Sequence, residues 1–84
     1  MIGEMVKFKD YCDEIFTAKV VGVFSDKFDN VKFFQHGIVN VPYYWSKKTK
    51  SYRSVKEKDL ESVYLEVESS RGKTDYILLK ESLS

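Results

Sequence analysis

The sequence predicts a small all-β domain, and three observations carry that prediction. Six or seven short runs alternate apolar and polar residues within 84 positions, which is the two-residue period of a half-buried strand. Turn-forming residues interrupt these runs at intervals of about 8–12 positions, the spacing of small sandwiches and barrels. Six Phe, six Tyr, one Trp and many β-branched residues fill the runs, and these side chains suit a pleated surface. The length fits one domain over 1–84. With 43% apolar and 15% aromatic residues, the large side chains must be shared between a modest core and any contact face.

Each element follows from its own pattern. In Gly3 to Lys9, Val6 and Phe8 alternate with Lys7 and Lys9, a half-buried strand. Asp10 to Glu14 breaks the pattern as an acidic loop, in which Tyr11 is a lid over the core or an exposed aromatic. Ile15 to Phe24 is a long strand with Phe16, Ala18, Val20, Gly22 and Phe24 on one face, and Gly22 marks a bend or bulge. Ser25 to Asn30 is a connection. Val31 to Gln35 resumes a strand, His36-Gly37 is a turn, and Ile38 to Trp45 alternates again. Pro42 lacks an N–H for a ladder, so this strand is expected at an edge or bulged. Lys47 to Lys50 is a basic turn, and Tyr52 to Val55 returns antiparallel. Ser54 to Val67 has two readings. Ser54 with Glu57 has capping-box form, and Leu60, Val63, Tyr64 and Val67 recur at helical spacing. The favoured alternative is one helical turn over Lys56–Leu60 and then a strand Ser62–Ser69. Ser69 to Lys73 is a hairpin loop, Thr74 to Lys80 the returning strand, and Glu81 to Ser84 is expected to fray.

Charge narrows the function classes. Fourteen Lys and Arg against thirteen Asp and Glu leave +1, which is no general signature of nucleic-acid, membrane or acidic partners. The charge is uneven, however: Lys47–Lys58 holds six cations and one acid. The lone Cys12 forms no internal disulfide, which points to a reducing, cytoplasmic setting. No run reaches the roughly 18–20 apolar residues of a membrane span, and the N-terminus has no signal-peptide pattern. One Cys and one His exclude a usual zinc site. Neither the acidic loop of Asp10, Asp13 and Glu14 nor that of Asp26 and Asp29 has the calcium-loop pattern, the four Gly are too dispersed to cradle a phosphate, and His36 has no nucleophile at recognisable spacing. The reading is therefore non-enzymatic, with no cofactor and no metal.

The opening Gly3-Glu4-Met5-Val6-Lys7-Phe8, the long bent strand Phe16 to Val23, and the turn Val55 to Val63 together resemble SH3-like small β-barrels of the Tudor and KOW type. The resemblance covers residues 3–67 and leaves Glu68–Lys80 as a C-terminal hairpin extension. It implies a barrel of five to seven short antiparallel strands with one helical turn near 56–60. It also implies a binding module, since members of that superfold bind methylated side chains, proline-rich peptides, RNA, DNA or polymerase surfaces. The fold alone does not choose among these.

The stretch Val41 to Val55 is the first candidate for a recognition surface. It holds the only Trp, the only Pro and half of the Tyr. Tyr43, Tyr44, Trp45 and Tyr52, with Lys47, Lys48, Lys50 and Arg53, are expected to gather on one hairpin. Aromatic and Arg side chains dominate protein interfaces, so a protein-binding adaptor or inhibitor is the leading reading. The same composition suits a nucleic-acid binder, with rings for bases and cations for phosphates, extended by Lys56, Lys58, Arg71 and Lys73. The competing reading puts Tyr43 and Trp45 in the core and leaves the lysines to blunt an edge. A third arrangement is an aromatic cage of Tyr11, Phe34 and Tyr44 with Asp13 or Glu14. An exposed edge also admits a homodimer.

Overall fold

Alternation of Val6 and Phe8 with three outward residues builds β1 (Met5–Lys9), and both apolar side chains are buried. The computed structural model describes residues 2–9 and 12–82, so the readings at Asp10 and Tyr11 fall outside the described residues. β2 (Ile15–Ser25) runs antiparallel to β1, with Val6 opposite Ala18 and Phe8 opposite Phe16. Its first half buries Ala18 and Val20. The register then shifts between Val20 and Gly22, the bulge expected at that glycine.

The bulge corrects the face assignment along β2. An extra residue, Val21, inverts the alternation, so Val23 turns inward while Gly22 and Phe24 turn outward. Phe24 is 40% exposed and does not continue the face of Ala18 and Val20.

β3 (Lys32–His36) and β4 (Val39–Ser46) form a hairpin through Gly37-Ile38. Gly37 has φ +64° and Ile38 does not share the left-handed region, which is the pattern of a II′ turn. β5 (Ser51–Ser54) returns beside β4 after the loop 47–50. A 3-10 turn, η1 (Glu57–Ser62), leads into β6 (Val63–Glu68), so the long-helix alternative does not form. Burial of Val63, Leu65 and Val67 at every second position explains why the strand wins over the helical pattern. β6 turns through a loop held by Ser69 N–H donating to Lys73 O at 2.9 Å, with Gly72 at φ +76°. β7 (Thr74–Leu78) completes the hairpin, and η2 (Leu79–Glu81) follows it where strand was expected to run to Lys80 and Glu81 to fray.

The seven strands make two antiparallel sheets, ordered β1-β2-β6-β7 and β3-β4-β5. A small all-β domain is thus present, but the sheets do not close into one barrel. Closure would need the far half of β2 to pair with β3. Instead β6 occupies β2 as far as Ser25, and β3 pairs only with β4. The expected edge position of Pro42 is also corrected: β4 is the central strand of its sheet. Pro42 is tolerated there because its backbone polar groups face β5 just past the last ladder pair, Tyr43–Ser54. Its carbonyl still accepts from Val55 N–H at 2.9 Å, and the missing donor would have faced the same place.

The core has two linked parts. Val6, Phe8, Ala18, Val20, Leu65 and Val67 form the larger, and Val31, Val55 and Val63 the smaller. Val23 and Leu79 pack against both. Phe33 reaches the larger part from the second sheet, so one face of β3-β4-β5 is apolar and inward. The molecule is elongated, 42 × 23 × 22 Å. No helix is long and apolar enough to cross a membrane among the described residues.

Candidate binding surface on the three-stranded sheet

Residues opposite one another in an antiparallel pair share a face. The register therefore sorts the candidate residues. Trp45 lies opposite Tyr52 and Tyr43 opposite both Ser54 and Lys32. Phe34 is opposite Val41, and His36 opposite Val39. These positions form the outer face. Val31, Phe33, Pro42, Tyr44 and Val55 take the inner face, against the core.

The outer face carries a continuous stripe of rings. Trp45 meets Tyr52 edge-on at 5.2 Å between centroids, Tyr52 meets Phe34 at 5.6 Å, and Phe34 meets Tyr43 at 4.8 Å. Tyr43 then stacks on His36 at 5.7 Å, with its hydroxyl 3.0 Å from His36 Nε2. Trp45, Tyr43 and Tyr52 are half-buried, while Phe34 and His36 are exposed. None of the five joins either core cluster. Tyr43 and Trp45 are thus not core residues. The Lys32 ammonium sits 5.5 Å from the centroid of the Tyr52 ring, a cation–π contact within the stripe.

Two of the candidates go elsewhere. Tyr44 stacks on Phe28 at 4.2 Å and packs against the smaller core cluster. Arg53, opposite Tyr44, follows it to the other face of the hairpin. There Arg53, Lys48 and Lys56 line one shallow depression with Tyr44. Lys47, Lys48 and Lys50 occupy the loop between β4 and β5. That loop is held by Thr49 N–H donating to Ser46 Oγ at 3.3 Å, and Lys50 takes the left-handed conformation at φ +52°. Lys47 lies 3.8 Å from Asp29, an exposed pair of little energetic weight. Lys48, Lys50 and Arg53 have no ion-pair partner among the described residues. The aromatic cage is not assembled: Phe34 and Tyr44 lie on opposite faces of the sheet.

Topology also reveals a segregation of charge. From Val31 to Lys56, the span of the three-stranded sheet, there is no Asp or Glu and there are six cations. The rest of the chain holds the other eight cations and all thirteen acids. Sequence reasoning missed Lys32, Phe34 and His36 as members of the surface. The turn expected at His36-Gly37 lies one residue later, at Gly37-Ile38, and this places His36 in β3 opposite Val39 and fixes the register.

A second group of rings lies outward on the other sheet. Phe24 stacks on Tyr64 at 5.1 Å and meets Tyr76 edge-on at 5.2 Å, beside Glu66. It has no comparable run of cations. Cys12 is an exposed thiol. No group of three or more His, Cys, Asp or Glu is placed to hold a metal ion among the described residues. No family model, curated protein or solved structure matches this chain.

Proposed function

We propose that this chain is a non-enzymatic binding module whose ligand is a nucleic acid, held on the outer face of β3-β4-β5. The observation that carries this reading is the aromatic stripe on an acid-free sheet. Rings supply stacking platforms, and Lys32 and the cations of the β4–β5 loop supply attraction for phosphates, while Arg53 and Lys56 lie on the other face of the hairpin. A protein interface uses aromatic anchors too, but it depletes Lys along with Asp and Glu, whereas this span keeps five Lys and one Arg while holding no acid. The strand, 3-10 turn and strand order around η1 is the feature shared with the SH3-like barrels, while the pairing of β6 with β2 differs from the pairing that barrel closure would need. An exposed thiol at Cys12 fits an intracellular setting.

One observation favours a second reading, a protein-binding adaptor. Ile38 is 97% exposed, and with Val39 and Met5 it borders an apolar cleft reaching Leu60 and Leu79. Stacked bases leave this cleft unused, whereas an apolar side chain of a protein would fill it.

The test is fluorescence anisotropy of labelled oligonucleotides with the full chain across a salt series. Binding should weaken linearly in logarithmic terms, by about 0.7 per phosphate engaged on a single strand. The triple variant Lys47→Ala, Lys48→Ala, Lys50→Ala should reduce that slope by about 2. Equal affinity and slope in the triple variant would remove the basic loop from the account. An absence of binding by any oligonucleotide would leave the adaptor reading.

A further inference from the structure

We infer that the stripe takes a short single strand, with about three unstacked bases on its rings and a phosphate on Lys32. This rests on the nucleic-acid reading above and narrows it.

The chemistry of the outer face favours unpaired bases. Its strand positions present five rings but a single cation, Lys32. A duplex hides base faces inside its own stack and offers edges and phosphates. A surface made for a duplex would therefore need cations where this one has rings. A single strand can splay its bases onto rings while its backbone runs toward the basic loop.

Ring geometry sets the number of bases. The junctions Trp45–Tyr52, Tyr52–Phe34 and Phe34–Tyr43 are tilted by 72°, 66° and 75°. Where one ring meets its neighbour edge-on, the neighbour already occupies part of a face, so five rings do not offer five platforms. Four-stranded aromatic sheets that read single-stranded RNA stack about two or three bases, and this three-stranded sheet with its shared ring faces is assigned no more than that.

Lys32 has a specific part. Its ammonium rests over the face of Tyr52, the face a base needs. A stacking base displaces the ammonium, and the freed charge is then within side-chain reach of the backbone of that nucleotide. One cation–π contact is exchanged for one stacking contact and one phosphate contact. Lys32 is thus a positioning residue inside the stripe, distinct from the cations of the loop.

The experiment measures affinities of oligo-dT and oligo-U from two to twelve nucleotides, with a twelve-base-pair duplex as competitor. Wild type, Lys32→Gln and Tyr76→Ala are compared. Affinity should rise steeply up to about five or six nucleotides, the length that brings about three bases to the rings and about four phosphates to Lys32 and the basic loop, and thereafter only by the number of ways to place the site. Lys32→Gln should weaken binding several-fold and lower the salt slope by about 0.7, the value of one phosphate. Tyr76→Ala, on the other sheet, should change neither. Equal preference for oligo-dT and oligo-U supports stacking as the recognition, and a strong preference for oligo-U assigns the 2′-hydroxyl a part in the same site. Duplex competing as well as single strand, or an unchanged slope in Lys32→Gln, overturns this inference alone. Affinity that keeps climbing with length does the same. No binding at any length overturns the nucleic-acid reading and this inference with it.

Discussion

At the residue scale, position on one face or the other decides what a side chain does. Trp45 and Tyr44 are neighbours in sequence, yet one belongs to a solvent-facing stripe and the other stacks on Phe28 against the core. The consequence is measurable by denaturant unfolding. Trp45→Ala removes one edge-on ring contact and should leave the domain folded, at a cost under about 2 kcal/mol. Leu65→Ala empties a fully buried site and should cost about 2–5 kcal/mol. Unfolding of the Trp45 variant would return that indole to the core. Alternation showed that Tyr44 and Trp45 cannot share a face. It pointed to the wrong face as inward, because Val39, Val41, Tyr43 and Trp45 read as more apolar than Asn40, Pro42, Tyr44 and Ser46, yet Pro42 and Tyr44 are the side chains turned toward the core.

At the element scale, the connection after β2 is tied to η1. Ser25 Oγ accepts from the backbone N–H groups of Lys27 and Phe28, and donates to Ser62 Oγ at 3.2 Å. Lys27 hydrogen-bonds the Asp59 carboxylate. That bond, helped by the charges of Lys27, Lys58 and Lys56 and opposed by desolvation, holds the Asp59 carboxyl below its usual range. A lowered folded value means that this contribution is present above the unfolded carboxylate value. It is lost as pH falls through the folded one. Lys27→Met should therefore flatten the acid limb of stability, read by urea unfolding between about pH 2 and 6. An unaltered acid limb would make the bond energetically silent.

The elements themselves were largely legible. Two-residue alternation located every strand to within a few residues, and Gly22, Gly37 and Gly72 marked a bulge and two turns. What failed did so for physical reasons. A single extra residue at Val21 reversed the faces of half of β2, and alternation counted through a bulge cannot register that. Pro42 suggested an edge because a missing N–H is costly inside a ladder, but the cost vanishes where the neighbouring strand has just ended. Barrel closure depends on whether β2 pairs with β3, a long-range choice that local pattern does not encode.

At the scale of the whole molecule, two sheets divide the work. The four-stranded sheet, with its C-terminal hairpin, supplies most of the core, since Leu65, Val67 and Ile77 pack with the residues of β1 and β2. The three-stranded sheet contributes one face to that core and leaves the other to solvent, with rings along it and no acid anywhere in its span. Net charge hid this, because +1 averages a strongly basic sheet with an acidic remainder. The aromatic half of the candidate surface was legible from Tyr43, Trp45 and Tyr52. Its extension onto β3 required the pairing register.

Trp45 is the only Trp in the chain and stands at one end of the stripe, so its fluorescence reports on the surface directly. The decisive measurement is its titration with single-stranded oligonucleotide at low and at physiological salt. The account predicts saturable quenching that weakens steeply as salt rises. Emission that stays unchanged through saturating oligonucleotide at low salt would contradict it and remove the outer face of β3-β4-β5 as a nucleic-acid site.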